Sequence, residues 1–440
     1  MRRPVFSPSS QAALIATALL SAGVCLAAGA PAAKPASAAA PASSPAAAAS
    51  ALKSTLPGMP PVPDARNLYS TTGADKMSPA TTGALPRIYV PNLRGNDVSV
   101  IDPATRKVVD KFKVGRSPQH IVPSWDMKTL WVTNNAEGRK DGSLTPIDPL
   151  TGKPGAAIPV DDPYNMYFTP DGKSAIVVAE ALKRLDFRDP QTMALQYSIS
   201  TPGCPGINHA EFTIDGRFVI FTCEFSGALA KIDIEARSVV GYLQLTMPEL
   251  RFKSVKGAAD AVMAETLPPS LMEICTAKKG MPQDIRSSPD GSRFYVADMH
   301  ADGVHVIDPT AFTKVGFITT GLGAHGLYPS RDGKQLYITN RGAHKVHSGK
   351  DGIGSVAVLD FAKGKLVANW PIPDGGSPDM GNVSADGRTL WLSGRYDDEV
   401  YAIDTTSGKV EKIPVGAEPH GLTVWPQPGR YSLGHTGNMR

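Results

Sequence analysis

Short apolar runs of β-branched and aromatic residues recur along the chain at near-even spacing. They are Ile88-Tyr89-Val90, Leu130-Trp131-Val132, Ile176-Val177-Val178, Val219-Ile220-Phe221, Phe294-Tyr295-Val296, Leu336-Tyr337-Ile338 and Leu390-Trp391-Leu392. Runs this short, bounded by turn residues, predict strands rather than helices. Asp-Gly pairs precede five of them, at Asp171-Gly172, Asp215-Gly216, Asp290-Gly291, Asp332-Gly333 and Asp386-Gly387, which is hairpin punctuation. Downstream of each run, an alternating segment closes on aspartate: Asp102, Asp148, Asp189, Asp233, Asp308, Asp360 and Asp404. A carboxylate there bonds the backbone ahead of it and so favours a turn. A last strand follows several of these turns, as at Lys107 to Val114 and Lys409 to Val415. The segment Met281 to Pro309 shows the unit most fully, from its entry Pro282-Gln283-Asp284 to its closing Asp308-Pro309.

The closing aspartates lie 46, 41, 44, 75, 52 and 44 residues apart. A period of this size with four strands per copy predicts an all-β fold, a seven-bladed β-propeller. The first copy begins at its second strand, Ile88, whereas the last entry motif, Glu418 to Val424, has no complete copy after it. The C-terminal strand is therefore expected to close the first blade, removing the exposed edges of an open sheet. The propeller takes residues 86–426 and leaves 427–440 as a tail, which either docks across one face and presents His435 or adds an edge strand. The long interval holds an insertion at about 247–280, with one short helix expected at Ala258 to Glu265, and a smaller one lies at 344–353. Long loops in compact domains are either functional or plain surface excursions.

Residues 1–30 read as a signal peptide, with Arg2-Arg3, the apolar run Ala12 to Ala28 and the small residues Ala28-Gly29-Ala30. A membrane anchor is the competing reading, but the run is short and alanine-rich for a span. Residues 31–51 are nearly all alanine, proline and serine, the composition of a tether, and 52–85 form an irregular lead-in. The expectation is a periplasmic or secreted monomer with no membrane span in its mature chain. Its net charge of +4 is scattered, which argues against nucleic acid. Removing the signal leaves Cys204, Cys223 and Cys275, enough for one disulfide and an odd thiol. There is no Cys-x-x-Cys, nucleophile elbow, phosphate loop or His-Glu-x-x-His.

The phrases Leu336-Tyr337-Ile338-Thr339-Asn340, Trp131-Val132-Thr133-Asn134, Val98-Ser99-Val100-Ile101-Asp102 and Pro419-His420-Gly421 resemble the YVTN-family seven-bladed propellers, the YncE-like group. The resemblance covers about residues 86–426 and speaks for the fold, because one fold hosts many activities. Relatives by fold include the haem d1 domain of cytochrome cd1 nitrite reductase, the copper propeller of nitrous oxide reductase and bacterial lactonases.

In such a ring the first strand of each blade lines a channel, and its start converges with the ends of the second strands around one mouth. Aligning the entries places His120, Asn165, His209, Asp284, His325, Asp379 and His420 at one equivalent position. The second strands end at Asn92, Asn134, Ala179, Cys223, Asp298, Asn340 and Gly394, with Arg94, Glu180, Glu224, Arg341 and Arg395 just beyond. One reading is repeat grammar, in which these polar groups bond loop backbone and hold the blades in register. A second is a binding mouth for a small molecule or an envelope protein. A third is an enzyme, either lactonase-like or carrying a metal or haem d1, since imidazoles and carboxylates suit transition metals. Arginines there suit bidentate anion binding. Neither cofactor nor metal is assigned. His344 and His347 fall in a loop, and His300 and His305 are expected on a hairpin surface. Cys204 and Cys275 precede inner strands of neighbouring blades and are expected to pair, leaving Cys223 a buried thiol. Asp284 and Asp298 make the fifth blade the acidic one and the first place to look for a site.

Overall fold

A computed structural model describes residues 55–246, 279–347 and 349–440. The expected signal, the tether, the insertion helix and Cys275 lie outside the described residues. Seven sheets of antiparallel strands form the ring, and the fold is all-β as the repeat predicts. Blades 2 to 7 start at Pro118, Pro163, Ile207, Pro282, Ala324 and Pro378, and their strands pair in sequence order from the channel outward. Blade 1 takes its inner strand, Thr423–Trp425, from the far end of the chain, pairing Arg87 with Trp425 and Tyr89 with Thr423. Inner and second strands are buried nearly throughout. Outer strands such as Lys365–Pro371 alternate exposed and half-buried, as an edge with one packed face requires. Among the described residues no helix is long and apolar enough to cross a membrane.

The turns carry their sequence chemistry into the structure. At the end of each inner strand in blades 3 to 7 a Ser or Thr hydroxyl donates to the turn aspartate, as in Thr213 to Asp215 at 2.5 Å and Ser330 to Asp332 at 2.6 Å. The following glycines have φ between +67° and +76°, a conformation that glycine adopts without steric cost. Blade 2 keeps Ser124 and Asp126 but places Met127 at φ +62°. The closing aspartates bond backbone N–H groups ahead of them, as Asp308 does with Thr310 and Ala311.

The lead-in runs irregularly across the face opposite the mouth. Leu56, Leu68 and Tyr69 are buried there, and the Tyr69 hydroxyl donates to Ser287 O at 2.7 Å. The tail adds strands to a sheet edge, the channel side of blade 3, and presents His435 there. After Trp425 it crosses beneath the ring, bridging Met77 with Pro428. It then turns up into the channel as a hairpin of Ser432–Gly434 and Asn438–Met439, pairing with the inner strand of blade 3 at Gly434–Tyr167. Trp125 stacks on Tyr431 at 5.4 Å, Leu433 joins the core of blades 3 and 4, and Arg440 pairs with Glu211 at 2.6 Å.

Candidate functional site

The inner strands do not present one ring of side chains but two. Most of them slip register by a residue near their start, as between Pro118 and His120 and between Ala324 and Leu327. A hydroxyl on the second strand fills the slip. His120 N donates to Thr133 Oγ1, His209 N to Thr222 Oγ1, Gly326 N to Thr339 Oγ1 and Met380 N to Ser393 Oγ. These contacts show that His120 and His209 correspond to Gly326 and Met380, whereas His325 and Asp379 stand one residue earlier. The single equivalent position expected from the entry motifs is thus corrected to two neighbouring ones. The upper ring holds Gln119, Tyr164, Asn208, Gln283, His325, Asp379 and His420, and the lower ring holds His120, Asn165, His209, Asp284, Gly326, Met380 and Gly421. A β-bulge rotates a side chain without leaving a signature in residue type, so alignment on histidine merged the rings.

The upper ring opens on a cavity of about 270 Å³, lined among others by Gln119, Tyr164, Gln283, His325 and His420. Asp379 is fully buried beside it and gathers four cationic or imidazole groups. Arg341 reaches its Oδ1 at 2.6 Å, His420 Nδ1 its Oδ2 at 2.7 Å, and Arg395 approaches at 3.7 Å. His325 Nδ1 stands 2.9 Å from Oδ1, off hydrogen-bond alignment, while its Nε2 accepts from Arg341. Burial works to raise the Asp379 pKa, but Arg341, His325 and His420 outweigh it and hold the carboxyl well below its ordinary value. Burial, aided by the arginines, lowers His325 to about 4 and His420 to about 3, so both are neutral imidazoles. Since Asp379 accepts at Nδ1 of His420, its Nε2 bears the free lone pair, and that atom has no protein partner.

The opposite wall is acidic. Glu224 accepts from Asn208 and Gln283, both at 3.1 Å, and Asp162 accepts from Leu182 N at 3.1 Å. Burial pushes Glu224 up, pushes Asp162 up to about 6, and with Glu224 and Asp162 nearby lifts Glu180 well above the carboxylate range. No ion pair reaches Glu180, Glu224 or Asp162 among the described residues. Arg395, by contrast, is already paired with Glu418 at 3.2 Å.

Other expected site residues lie elsewhere. Arg94 is 65% exposed and pairs with Glu418 on the rim. Asp284 accepts from Ile285 N and from Leu327 N of the next blade, and also pairs with Arg286. Asp298 accepts from Met281, His300 and Ala301 N–H groups and pairs with His305 at 3.0 Å. The acidic blade therefore spends both carboxylates on loops and blade register. Asn92, Asn134 and Asn340 staple their own hairpins, donating to Ser99, Thr145 and Ser355. His305 is fully buried rather than on a surface, because its ring packs inward to meet Asp298. His344 is 40% exposed and pairs with Asp302, and His347 meets Glu137 at the mouth. The expected Cys204–Cys275 pairing is overturned by a Cys204–Cys223 disulfide with Cα atoms 4.9 Å apart. Both cysteines belong to one hairpin, in which Cys223 stands opposite Ile207, so Cys223 is not a free thiol.

Below the mouth lies the lower ring's principal feature. His120 and His209 face His435 at the tip of the tail hairpin, and ligand atoms of the three lie within 4.8 Å of one another. No spacing motif links positions 120, 209 and 435. The available signal was His435 between Gly434 and Gly437, since a Cβ at position 434 would sit 2.6 Å from Met166 O in the channel wall.

The fold and this channel define a closed seven-bladed propeller, plugged from one side and open to a polar mouth on the other. A family model described as YNCE-like beta-propeller matches residues 252–428, and with the seven-bladed ring it bears out the resemblance read from the strand motifs. No curated protein matches. Among solved structures, the chain is similar to the hydrazine synthase of Kuenenia stuttgartiensis, at 17% identity and TM-score 0.51, over 68% of this chain and 87% of that one. It is similar to a putative 6-phosphogluconolactonase of Bacteroides uniformis, at 15% and 0.56, over 77% and 98%. It is also similar to the dihydro-haem d1 dehydrogenase NirN, at 13% and 0.52, over 83% and 82%. At these identities the likeness shows the fold alone.

Proposed function

We propose that this is an exported binding protein whose mouth takes up a small organic cation such as an alkylamine. The observation that carries this reading is a pair of carboxyls facing the cavity, the buried Glu224 and the half-buried Glu180, with no cation paired to either among the described residues. An unpaired buried charge is costly, and a bound ammonium group offsets that cost. The cations opposite are already engaged with Asp379 and Glu418, so an anionic ligand has less to gain. A cavity of about 270 Å³ has room for a small ligand such as an alkylamine. The export part of the reading rests on the N-terminal composition and is supported by the disulfide, which persists in oxidising compartments.

Titration calorimetry of the full chain with ethanolamine and putrescine, and with acetate as the anionic control, tests the ligand class. The amines are expected to bind and acetate is not, and Glu180→Gln and Glu224→Gln are each expected to weaken the amines about tenfold. A cation favours the ionised carboxylates, whose pKa values are raised in the free protein. Affinity is therefore expected to rise with pH across that raised range, with proton release on binding. Amine binding that is absent, or unchanged in both variants, sinks the proposal. Recovery of the chain beginning after Ala30 from the periplasm or medium tests export, and cytoplasmic retention of the full chain refutes it.

A further inference from the structure

We propose that His120, His209 and His435 form a three-histidine centre for a borderline divalent metal ion, zinc or copper, completed by the tail. This is independent of the mouth's ligand. All three residues are fully buried. Both ring nitrogens of His120, both of His435 and Nε2 of His209 have no protein hydrogen-bond partner. A buried polar atom left so costs about 1–3 kcal/mol, and native interiors rarely tolerate one, let alone a cluster. The ligand atoms lie within 4.8 Å of one another. Three nitrogens ~2.0–2.1 Å from a tetrahedral ion stand roughly 3.4 Å apart, so closure needs ring movements of about an ångström.

The chemistry of the set selects the metal. Burial, aided by neighbouring imidazoles, keeps all three neutral, so lone pairs are available at neutral pH. Three uncharged nitrogens without a carboxylate suit zinc or copper and not magnesium or calcium, which prefer oxygen. Surrounding groups fit the same assignment. The His420 ring lies 4.8 Å from that of His120, with its Nδ1 held by Asp379 and its Nε2 free. Metal-site histidines are oriented by carboxylates in this way. A Cβ at Gly421 would fall 2.0 Å from His120 Nδ1, so only glycine leaves room for that ring. Asn165 Nδ2 stands 3.1 Å from His209 Nδ1 and, as placed, keeps the proton on Nε2. Ligation through Nε2 moves that proton to Nδ1 and turns the amide oxygen toward it. Asn165→Asp, an acceptor in either orientation, should therefore retain metal.

The experiment uses the full chain, stripped with chelator, reloaded separately with Zn²⁺, Cu²⁺ and Mg²⁺, desalted and assayed for metal. The expected result is about one Zn²⁺ or Cu²⁺ per chain and no Mg²⁺. His120→Ala and His435→Ala should each lower affinity at least tenfold, whereas His344→Ala, an exposed control, should not. Co²⁺ should give the visible d–d bands of a low-coordinate nitrogen site, lost in His435→Ala. His435→Gln keeps the tip's bulk and replaces the alanine variant if that melts without cooperativity. Wild-type protein that takes up neither metal at micromolar free ion overturns the proposal. So does full stoichiometry in both ring variants, which would place the ion elsewhere.

Discussion

Asp162→Asn separates a carboxyl retained for binding from one retained for folding. Asp162 is 2% exposed, sits at φ +46° and accepts from Leu182 N. Asparagine tolerates that backbone conformation and keeps the accepting oxygen. Burial raises the Asp162 pKa from 3.8 to about 6. Below pH 3.8 the carboxyl is protonated whether the chain is folded or not, and the substitution should change nothing. Between the two values the folded chain holds a proton that the unfolded chain gives up, so relative stability falls as pH rises through the window. At pH 7 the full penalty applies. A shift of about two pKa units corresponds to roughly 3 kcal/mol at 1.36 kcal/mol per unit, and about 1–3 kcal/mol is expected after local relaxation. With roughly 350 described residues at ~2.1 cal/mol/K each, the unfolding entropy is about 0.7 kcal/mol/K, so the melting temperature should rise by roughly 1–4 °C. Calorimetric melts of both proteins at pH 7 and pH 4 make the assay. A gain at pH 7 that shrinks toward zero at pH 4, with weaker amine binding, is the expected pattern. An equal change at both pH values, or a loss at pH 7, refutes the electrostatic account of this wall.

Asp379→Ala should destabilise the fold by about 3–5 kcal/mol, because it strands the buried Arg341, and Asp379→Asn should cost less; equal chemical-denaturation midpoints for both variants and wild type would contradict the role assigned to Asp379. Cys204→Ser should cost about 3 kcal/mol for a loop of 19 residues, and non-reducing peptide mapping of the wild type should recover Cys204 joined to Cys223 with Cys275 free.

Repeat chemistry was legible in the sequence wherever it is local. An Asp-Gly pair, an apolar triplet and a closing aspartate each act within a few residues, and the structure places them in the turns, strands and strand ends that their residue types predict. Ring closure was legible too, because a first copy without an inner strand and a last entry without a blade have one common solution. What escaped was set by register and by distance. The bulge that separates His120 from the level of His325 depends on a hydroxyl thirteen residues downstream, Thr133, and on where backbone pairing slips. Asp284 and Asp298 look like ligands by type, yet each faces backbone N–H groups that only the folded neighbours supply. The disulfide follows hairpin register rather than spacing between blades, since Cys223 is brought beside the start of its own blade's inner strand.

The tail gives the channel a direction. From the face opposite the mouth, the hairpin is flanked by the Arg440–Glu211 pair, the buried Trp425 and the Tyr69 lead-in contact. On the mouth side, the cavity is lined by Tyr164, whose ring centroid is 5.4 Å from that of His120. The three imidazoles are fully buried beneath the mouth that presents Glu180 and Glu224. A propeller with a bare channel would admit solutes from both faces. Here the last residues of the chain close one face, present His435 to two imidazoles of the lower ring, and leave the upper ring as the surface on which a ligand is distinguished.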